Sequence, residues 1–209
     1  ISIIEKTGGN ATVLALGSAD AEEQLKDSLA RGMTDAILLK SDQPEWDPSQ
    51  TAQAIIETVN SEEAKNEPFD LLMFGSESAD SGNAQIGIRV AYGLDRPIIC
   101  GLKDLTVTDS GIIGKRDIPN GMEIYETTLP AVVTIKEGIN LPRYPSLRGR
   151  IKAKKKEVVH FSPDQIPQQM EMIQLQHPDE QKKEVEMLGE GAPAAPEVVN
   201  IFKQLKLLK

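Results

Sequence analysis

The chain has 209 residues, 39% of them hydrophobic and 4% aromatic, which is enough for one domain of ordinary size with an appendage. Its formal net charge of −9 argues against a general nucleic-acid-binding protein, because nothing offsets repulsion from phosphates. No apolar run approaches about 18 residues, no charged-then-apolar signal opens the chain, and Cys100 has no second cysteine to pair with. We therefore expect no membrane insertion and a reducing, cytoplasmic compartment.

Short apolar runs alternate with segments of helical spacing through the first half of the chain. Residues 1–10 indicate a short strand and a Gly-Gly turn. Strands joined by helical crossovers pair in parallel, so the pattern predicts an α/β fold with an open, mostly parallel sheet. The predicted strands are residues 12–16, 35–40, 69–74 and 97–100, and the predicted helices are residues 20–31, 81–92 and one that begins at 46–48.

The pattern changes after Gly101 to alternating strands joined by tight turns. Residues 105–108, 112–117 and 122–128 are separated by Ser-Gly and Asn-Gly pairs, which supply the positive φ that hairpin turns need. They predict an antiparallel meander added to the sheet, followed by a buried strand at 131–135.

The chain becomes polar from residue 161, so we divide it into a domain of residues 1–160 and a C-terminal extension of residues 161–209. Residues 198–208 form an amphipathic helical pattern with its apolar residues on one face. A lone helix of this length is marginal in water, so it is expected to pack on a partner subunit or, alternatively, on its own domain. That face comprises Val198, Ile201, Phe202, Leu205 and Leu208.

The loop after the strand 69–74 is the candidate ligand site, and we call residues 75–86 the rim loop. Ligands of open α/β sheets bind beyond the carboxyl ends of the strands, where a small, hydroxyl-rich loop and a helix N-terminus suit a phosphate. The alternative is a plain strand-to-helix turn. Leu16, at a second such corner, is expected on the same rim. The rim loop comprises Gly75, Ser76, Glu77, Ser78, Ala79, Asp80, Ser81, Gly82, Asn83, Ala84, Gln85 and Ile86.

A proline-bounded segment at about residues 138–152, here called the arm, follows the strand 131–135. It leads into a basic run, since residues 143–156 contain 7 Lys or Arg and no Asp or Glu. Such a run can steer an acidic protein partner, or it can be a charged strand edge that blocks aggregation. Nucleic-acid binding is least favoured because Tyr144 is the run's only aromatic residue.

The inventory of catalytic residues is thin. His160 and His177 lack metal-ligand spacing, and Cys100 lies at a strand end without a neighbouring Cys or His. The chain has no nucleophile elbow, Walker loop or paired carboxylates. This predicts a protein that is not itself an enzyme and whose chemistry belongs to a bound cofactor.

The arm and its flanks carry a family resemblance. Pro142-Arg143-Tyr144, Leu147 and Ala153-Lys154-Lys155-Lys156 stand in the order and spacing found in beta subunits of electron transfer flavoproteins. The resemblance runs from about residue 11 to 159 and implies an adenine nucleotide alpha-hydrolase-like fold. The rim loop is closer to an actinobacterial variant, and Gly82 departs from the commoner family pattern. Family members also begin with roughly forty more residues, which this sequence lacks.

The resemblance also implies roles for individual residues. The rim loop and Leu16 correspond to the family's AMP site, and the arm to its recognition loop, with Leu147 as the anchor for partner dehydrogenases. Asp117 matches an acidic position implicated in an interdomain ion pair with the alpha subunit. The remaining arm residues taken as docking residues are Pro142, Arg143, Tyr144 and Lys152.

The implied partners are an alpha subunit that holds most of the FAD, an acyl-CoA or other flavin dehydrogenase as electron donor, and a quinone oxidoreductase as acceptor. Two alternatives remain open from the sequence. One is an NADH-linked bifurcating flavoprotein in which a second FAD replaces AMP. The other is a stand-alone adenine-nucleotide sensor that needs no alpha partner.

Overall fold

The structure is a computed structural model that describes residues 1–41, 46–164, 166–174, 176–177 and 185–208. It divides into two compact units, Ile1–Glu171 and Met172–Lys209, which are considered separately. The strands, all in the first unit, are β1 (Thr12–Gly17), β2 (Asp35–Lys40), β3 (Leu71–Gly75), β4 (Ile98–Leu102), β5 (Asp104–Thr108), β6 (Gly111–Ile118), β7 (Gly121–Thr127), β8 (Ala131–Ile135) and β9 (Val159–Phe161). The helices are α1 (Ser2–Thr7), α2 (Ala21–Arg31), α3 (Pro48–Glu63), α4 (Ile86–Gly93), α5 (Leu147–Lys155) and, in the second unit, α6 (Ala195–Gln204).

Two parallel three-stranded sheets form the centre of the first unit, in the orders β1-β2-β9 and β3-β8-β4. The middle strands, β2 and β8, are apolar and buried because both neighbours and both faces cover them. The predicted α/β class with mostly parallel strands is therefore confirmed. The sequence pattern did not predict β9, which pairs with β2 through Ile37↔Val159.

Helices α2 and α3 connect these strands; α2 has the predicted bounds to within one residue, and α3 has the predicted start. The carboxylate of Asp47 accepts the Gln50 backbone N–H at 2.7 Å, and the Gln50 side chain accepts the Asp47 N–H at 3.1 Å. With Pro48 at the first helical position, this is a complete capping box. Helix α2 ends at Arg31 and is followed by Gly32, whose φ of 126° is readily available only to glycine.

Two local predictions were wrong. Residues 2–7 form a short helix rather than a strand, closed by the Gly8 N–H donating to the Ile4 carbonyl at 2.9 Å. Helix α4 begins at Ile86 instead of residue 81. The reason lies in Gly82 and Ala84, whose φ values of 59° and 52° are incompatible with a right-handed helix.

The predicted meander forms a sheet of its own, with order β5-β6-β7 and antiparallel pairing from Thr108↔Gly111 through Ile118↔Gly121. It adjoins β4 through the Lys103 N–H, which donates to the Lys115 carbonyl at 2.8 Å. Side chains of β4, β6 and β8 share one core cluster, which includes Leu102, Ile112 and Val133. The meander is thus packed on the end of the second parallel sheet.

Helix α6 in the second unit begins three residues earlier than predicted and ends at Gln204. Its apolar face is partly exposed, with Val198 at 36%, Phe202 at 43% and Leu205 at 62% of full exposure. What covers this face stays a prediction. No helix in the described ranges has both the length and the apolar character needed to cross a membrane.

Candidate functional site

The rim loop leaves the carboxyl end of β3 and is open to solvent. The Ser76 N–H donates to the Ile135 carbonyl at 2.9 Å, which ties the start of the loop to the end of β8. A Cβ placed on Gly75 would meet no atom within 4 Å. Residues 77–84 are all exposed. No side chain therefore fills the space directly above Gly75.

The middle of the rim loop is a tight turn held by its own polar groups. The Ser78 and Ser81 hydroxyl oxygens lie 2.8 Å apart, and the Gly82 N–H donates to the Ser78 carbonyl at 3.0 Å. The Ser78 hydroxyl and the Ser81 N–H both donate to the Asp80 carboxylate, so the pKa of Asp80 lies below its usual value. The loop thus presents an ionised carboxylate together with two serine hydroxyls.

The loop ends in the first turn of α4. The Gln85 side-chain oxygen accepts hydrogen bonds from Nε and Nη2 of Arg89, at 3.0 and 2.9 Å. Gly87 brings the helix close to the sheet, because a Cβ there would lie 2.8 Å from Cγ2 of Thr134 and 3.2 Å from Cβ of Phe74. The first turn of α4 therefore packs against Phe74 near the end of β3 and Thr134 near the end of β8.

Thr134 is a member of the site that the sequence did not indicate. It is 5% exposed, its hydroxyl oxygen accepts the Gly101 N–H at 2.8 Å, and it lies 3.1 Å from the Ser76 hydroxyl oxygen. The only signal in the sequence is a hydroxyl residue near the end of the apolar run 131–135. Periodicity assigns such a residue to the core and not to a ligand site.

The chemistry of the rim loop fits an adenylate. The serine hydroxyls of the loop can donate hydrogen bonds, so they suit phosphate oxygens. The carboxylates of Glu77 and Asp80 are acceptors, so they suit ribose hydroxyl groups or the adenine amino group instead.

Leu16 occupies the next-to-last position of β1 and is half-buried. Its side chain packs against the same core cluster as Phe74 of β3. Gly17 ends the strand, and its carbonyl accepts the Ser41 N–H at 2.9 Å. The ends of β1 and β3 thus border one core, while a nucleotide contact at Leu16 stays a prediction.

The second half of the arm is helical, whereas the resemblance implied a recognition loop for the whole arm. Ser146 caps α5 by accepting the Gly149 N–H at 3.0 Å, and Leu147 is the first residue of the helix. Leu147 is 77% and Tyr144 88% exposed. Pro142, Arg143 and Lys152 are exposed as well. The basic run is therefore a helix surface, and the reading as a strand edge was wrong.

Close packing on α2 fixes the position of α5. Ala153 is 2% exposed, and a Cβ on Gly149 would overlap the carbonyl oxygen of Ala30. The Lys156 ammonium also donates to the carbonyl of Thr34. These contacts hold one face of α5 against the domain and leave the opposite face free.

An exposed ion pair links the arm to α1. Nη1 and Nη2 of Arg143 donate to the two carboxylate oxygens of Glu5, at 2.5 and 2.9 Å. The hydrogen bond from Arg143 holds the pKa of Glu5 below its usual value. Both side chains are about half exposed, at 47% and 52%. Water and salt screen such a pair, so it contributes little rigidity.

The remaining candidate residues lie apart from the rim loop and the arm in sequence and in element. Asp117 is exposed near the end of β6, while its neighbour Arg116 binds Glu123 and stacks on Tyr125. Nε2 of His160 lies 3.3 Å from the Glu22 carboxylate. Among the residues that the structure describes, no group of three or more His, Cys, Asp or Glu side chains is placed to hold a metal ion.

Parallel α/β sheets with an open, polar loop beyond a strand end define an open α/β class of protein, in which ligands bind at the carboxyl ends of the strands. Comparison with known proteins identifies the family within this class. Residues 1–166 match the electron transfer flavoprotein domain, and the chain belongs to the electron transfer flavoprotein family, with relatives that are beta subunits.

Three relatives illustrate the range of similarity. The electron transfer flavoprotein subunit beta of Bacillus subtilis (strain 168) is 33% identical over 97% of this chain and 80% of its own length. The corresponding subunit of Thermoanaerobacterium thermosaccharolyticum is 32% identical over 79% of this chain and 63% of its own length. CarD, a subunit of the caffeyl-CoA reductase-Etf complex of Acetobacterium woodii, is 29% identical over 78% of this chain and 61% of its own length.

Proposed function

We propose that this chain is the beta subunit of a heterodimeric electron transfer flavoprotein that works in the cytoplasm. It pairs with an alpha subunit that holds most of the FAD. The heterodimer carries electrons from flavin dehydrogenases, such as acyl-CoA dehydrogenases in fatty acid β-oxidation, to a quinone oxidoreductase. The chain supplies a scaffold, a nucleotide site and a docking surface, and it has no catalytic residues of its own.

The observation that carries this proposal is the position of Leu147. An exposed leucine at the start of a helix that is fixed to the domain is a fitting anchor for an apolar pocket on a partner enzyme. The surrounding arginines and lysines of residues 143–156 give the anchor a positive setting in a chain of net charge −9. They favour an acidic partner surface and raise the rate of encounter.

The rim loop is proposed to bind AMP as a structural nucleotide. Leu16, Gly75 to Ile86 and the first turn of α4 are the groups that would hold it. Bound FAD supplies the redox chemistry. In this division of roles the beta chain would hold AMP and support the FAD that it shares with the alpha subunit, and the FAD would carry the electrons.

CarD supports a second candidate, because its name places it in a reductase–Etf complex. In that candidate the beta chain belongs to an NADH-linked bifurcating flavoprotein and binds a second FAD in place of AMP. The small, serine-rich rim loop supports AMP, because it offers short hydroxyl side chains instead of an extended apolar surface for an isoalloxazine ring.

Mass spectrometry of the ligands released from the purified heterodimer tests both candidates. One FAD and one AMP for each heterodimer is the expected result. Two FAD and no AMP supports the bifurcating candidate. A chain that purifies without an alpha partner and carries only a nucleotide contradicts both, and supports a stand-alone nucleotide sensor.

A further inference from the structure

A buried hydroxyl lies directly beneath the rim loop and is used by neither the arm nor the redox chemistry. Thr134 is the fourth residue of β8, the strand between β3 and β4, and is 5% exposed. Its hydroxyl oxygen is 2.8 Å from the backbone nitrogen of Gly101 and 3.1 Å from the hydroxyl oxygen of Ser76. This one side chain therefore links the ends of all three strands of the sheet.

The direction of these hydrogen bonds follows from the groups involved. The Gly101 N–H is a donor only, so the Thr134 oxygen accepts from it. The proton of the Thr134 hydroxyl then needs an acceptor, because a buried donor without a partner is strongly disfavoured. The Ser76 oxygen is the acceptor within reach. Thr134 thus donates to Ser76, and the proton of the Ser76 hydroxyl is left to point away from Thr134.

The backbone around Thr134 is shaped to keep this arrangement. The register between β4 and β8 shifts between Ile99 and Leu102, and Gly101 has a φ of 72° in that bulge, with its N–H aimed at the Thr134 oxygen. The methyl group of Thr134 faces the first turn of α4, where only a glycine fits at position 87. The hydroxyl and the methyl group of Thr134 are therefore both held by close contacts.

Ser76 is the first residue after β3 and is half-buried. Within the described part of the chain, its hydroxyl makes no side-chain hydrogen bond other than the one with Thr134. The space above the preceding residue, Gly75, is open. A hydroxyl whose oxygen is occupied as an acceptor and whose proton is free is a directed donor, which suits an anionic oxygen of a ligand.

We propose that Thr134 is a positioning residue for the nucleotide site: it orients the Ser76 hydroxyl so that Ser76 donates its proton to a phosphate oxygen of the bound adenylate. The inference rests on the proposed AMP site and adds a residue and a contact to it. Thr134 touches no ligand and acts only through Ser76. Ser76 recognises the phosphate, and the adenosine part is held by other residues.

The test uses the heterodimer reassembled with FAD and without AMP, then titrated calorimetrically with AMP and, separately, with adenosine. Ser76→Ala and Thr134→Val are each expected to weaken AMP binding about tenfold, the usual effect of one hydrogen bond to a charged group. Adenosine binding should change less than about twofold in either variant, since the contact is to the phosphate. Thr134→Ser, which keeps the hydroxyl, should bind AMP as the wild type does.

The double variant Ser76→Ala/Thr134→Val separates positioning from a general structural role. If Thr134 acts through Ser76, the double variant loses no more AMP affinity than Ser76→Ala alone. The inference is overturned if the losses of AMP affinity in the two single variants add in the double variant. It is also overturned if the Thr134→Val heterodimer is less stable yet binds AMP normally. If Thr134→Val fails to assemble, Ser76→Ala with the two ligands still decides: equal losses for AMP and adenosine overturn the phosphate contact.

The wild-type titration distinguishes this inference from the function on which it rests. A wild-type heterodimer that does not bind AMP contradicts the proposed AMP site as well as the inference. A wild type that binds AMP with an affinity indifferent to Ser76→Ala and Thr134→Val contradicts the inference alone.

Discussion

Two regions of the molecule each contain an Arg–Glu ion pair, but in opposite environments. One region is the sheet beneath the rim loop, where the pair is mostly buried, and the other is the arm, where the pair is exposed. Arg96 binds Glu63 through two hydrogen bonds of 2.7 and 2.8 Å at the base of β3 and β4, with side chains only 9% and 16% exposed. At the arm, Nη1 and Nη2 of Arg143 each bind one carboxylate oxygen of Glu5, whereas Arg96 uses Nη2 alone, and both side chains of this second pair are about half exposed. The first pair fixes strand positions, whereas the second leaves the start of the arm adjustable.

This difference matches the two tasks proposed for the regions. A nucleotide site needs groups held to within a fraction of an ångström, and buried polar contacts provide that precision. A docking surface that meets several enzymes tolerates adjustment, provided that its anchor is attached firmly. Helix α5 meets that condition through Gly149 and Ala153, while the preceding residues 141–144 are exposed. Substitutions at four positions, each with a control, test the comparison.

The largest effect is expected from breaking the buried ion pair. Arg96→Met leaves the Glu63 carboxylate without its partner in a mostly buried place, so the free energy of unfolding should fall by about 3–5 kcal/mol. Urea unfolding followed by circular dichroism measures this. The matched control is Arg143→Met, which breaks the exposed pair and is expected to leave stability unchanged. Equal losses from the two variants would remove the distinction between the regions.

The second-largest loss of stability is expected from a larger side chain at the contact between α5 and α2. A methyl group at position 149 overlaps the Ala30 carbonyl, so Gly149→Ala should reduce stability by about 1–3 kcal/mol as α5 moves away from α2. Partner-dependent flavin reduction should weaken as well, because the anchor moves with the helix. Arg148→Ala, a neighbouring change at an exposed position, is the control. If Gly149→Ala is as stable as the wild type, the close packing of α5 on α2 is contradicted.

Removing the anchor should affect docking and leave folding intact. Leu147→Ala is expected to weaken the complex with a partner dehydrogenase by about 2 kcal/mol, as for a central hot-spot residue. The unfolding midpoint should not change, because the side chain is 77% exposed. Steady-state flavin reduction at varied carrier concentration measures the effect. Leu141→Ala, also in the arm and 92% exposed, should have a smaller effect, and equal effects would contradict a single anchor.

The smallest effect concerns Asp47, whose carboxylate also accepts the N–H groups of Gln169 and Met170 at 2.5 and 2.9 Å. Burial alone would raise its pKa, but these hydrogen bonds and the one from Gln50 hold the pKa below the usual value. Its stabilisation is thus complete above the unfolded pKa of about 3.9 and is lost as the pH falls through the lower folded pKa.

Asp47→Asn should remove that acid dependence while keeping the helix cap, and Asp47→Ala should reduce stability by about 1 kcal/mol at neutral pH. Unfolding at a series of pH values below about 5 measures both effects. Asp20, which caps α2 without a side-chain hydrogen bond, is the control, and Asp20→Ala is expected to be silent. A pH profile of Asp47→Asn that matches the wild type contradicts the assignment.

Sequence patterns predicted the parts of the fold in which local and tertiary preferences agree. The strands predicted at 12–16 and 35–40 and the start of helix α3 near Asp47 and Pro48 were indicated by periodicity and by turn and cap residues. Periodicity failed at residues 81–85, where alternating small and polar residues resemble a helix start while Gly82 and Ala84 take positive φ. It also failed at β9, because three residues carry too little pattern to predict a strand.

The candidate sites show the same division. The rim loop and the arm were proposed from composition and from the family motif around Leu147; both are largely exposed, and their roles stay predictions. Thr134 was not found, because a threonine in an apolar strand has no distinguishing signal until β8 is known to lie between β3 and β4. Strand order is a property of long-range pairing and cannot be read from neighbours in sequence.

By itself, the sequence determined the alternation of strands and helices, the loop rich in small residues, the basic arm and the family, since each depends on residues close together along the chain. Tertiary structure alone decided that β8 inserts between earlier strands and that α5 packs closely on α2 through Gly149. It also decided that a buried threonine meets Ser76. Each of these depends on atoms many residues apart, whose distance is set by packing and not by local preference.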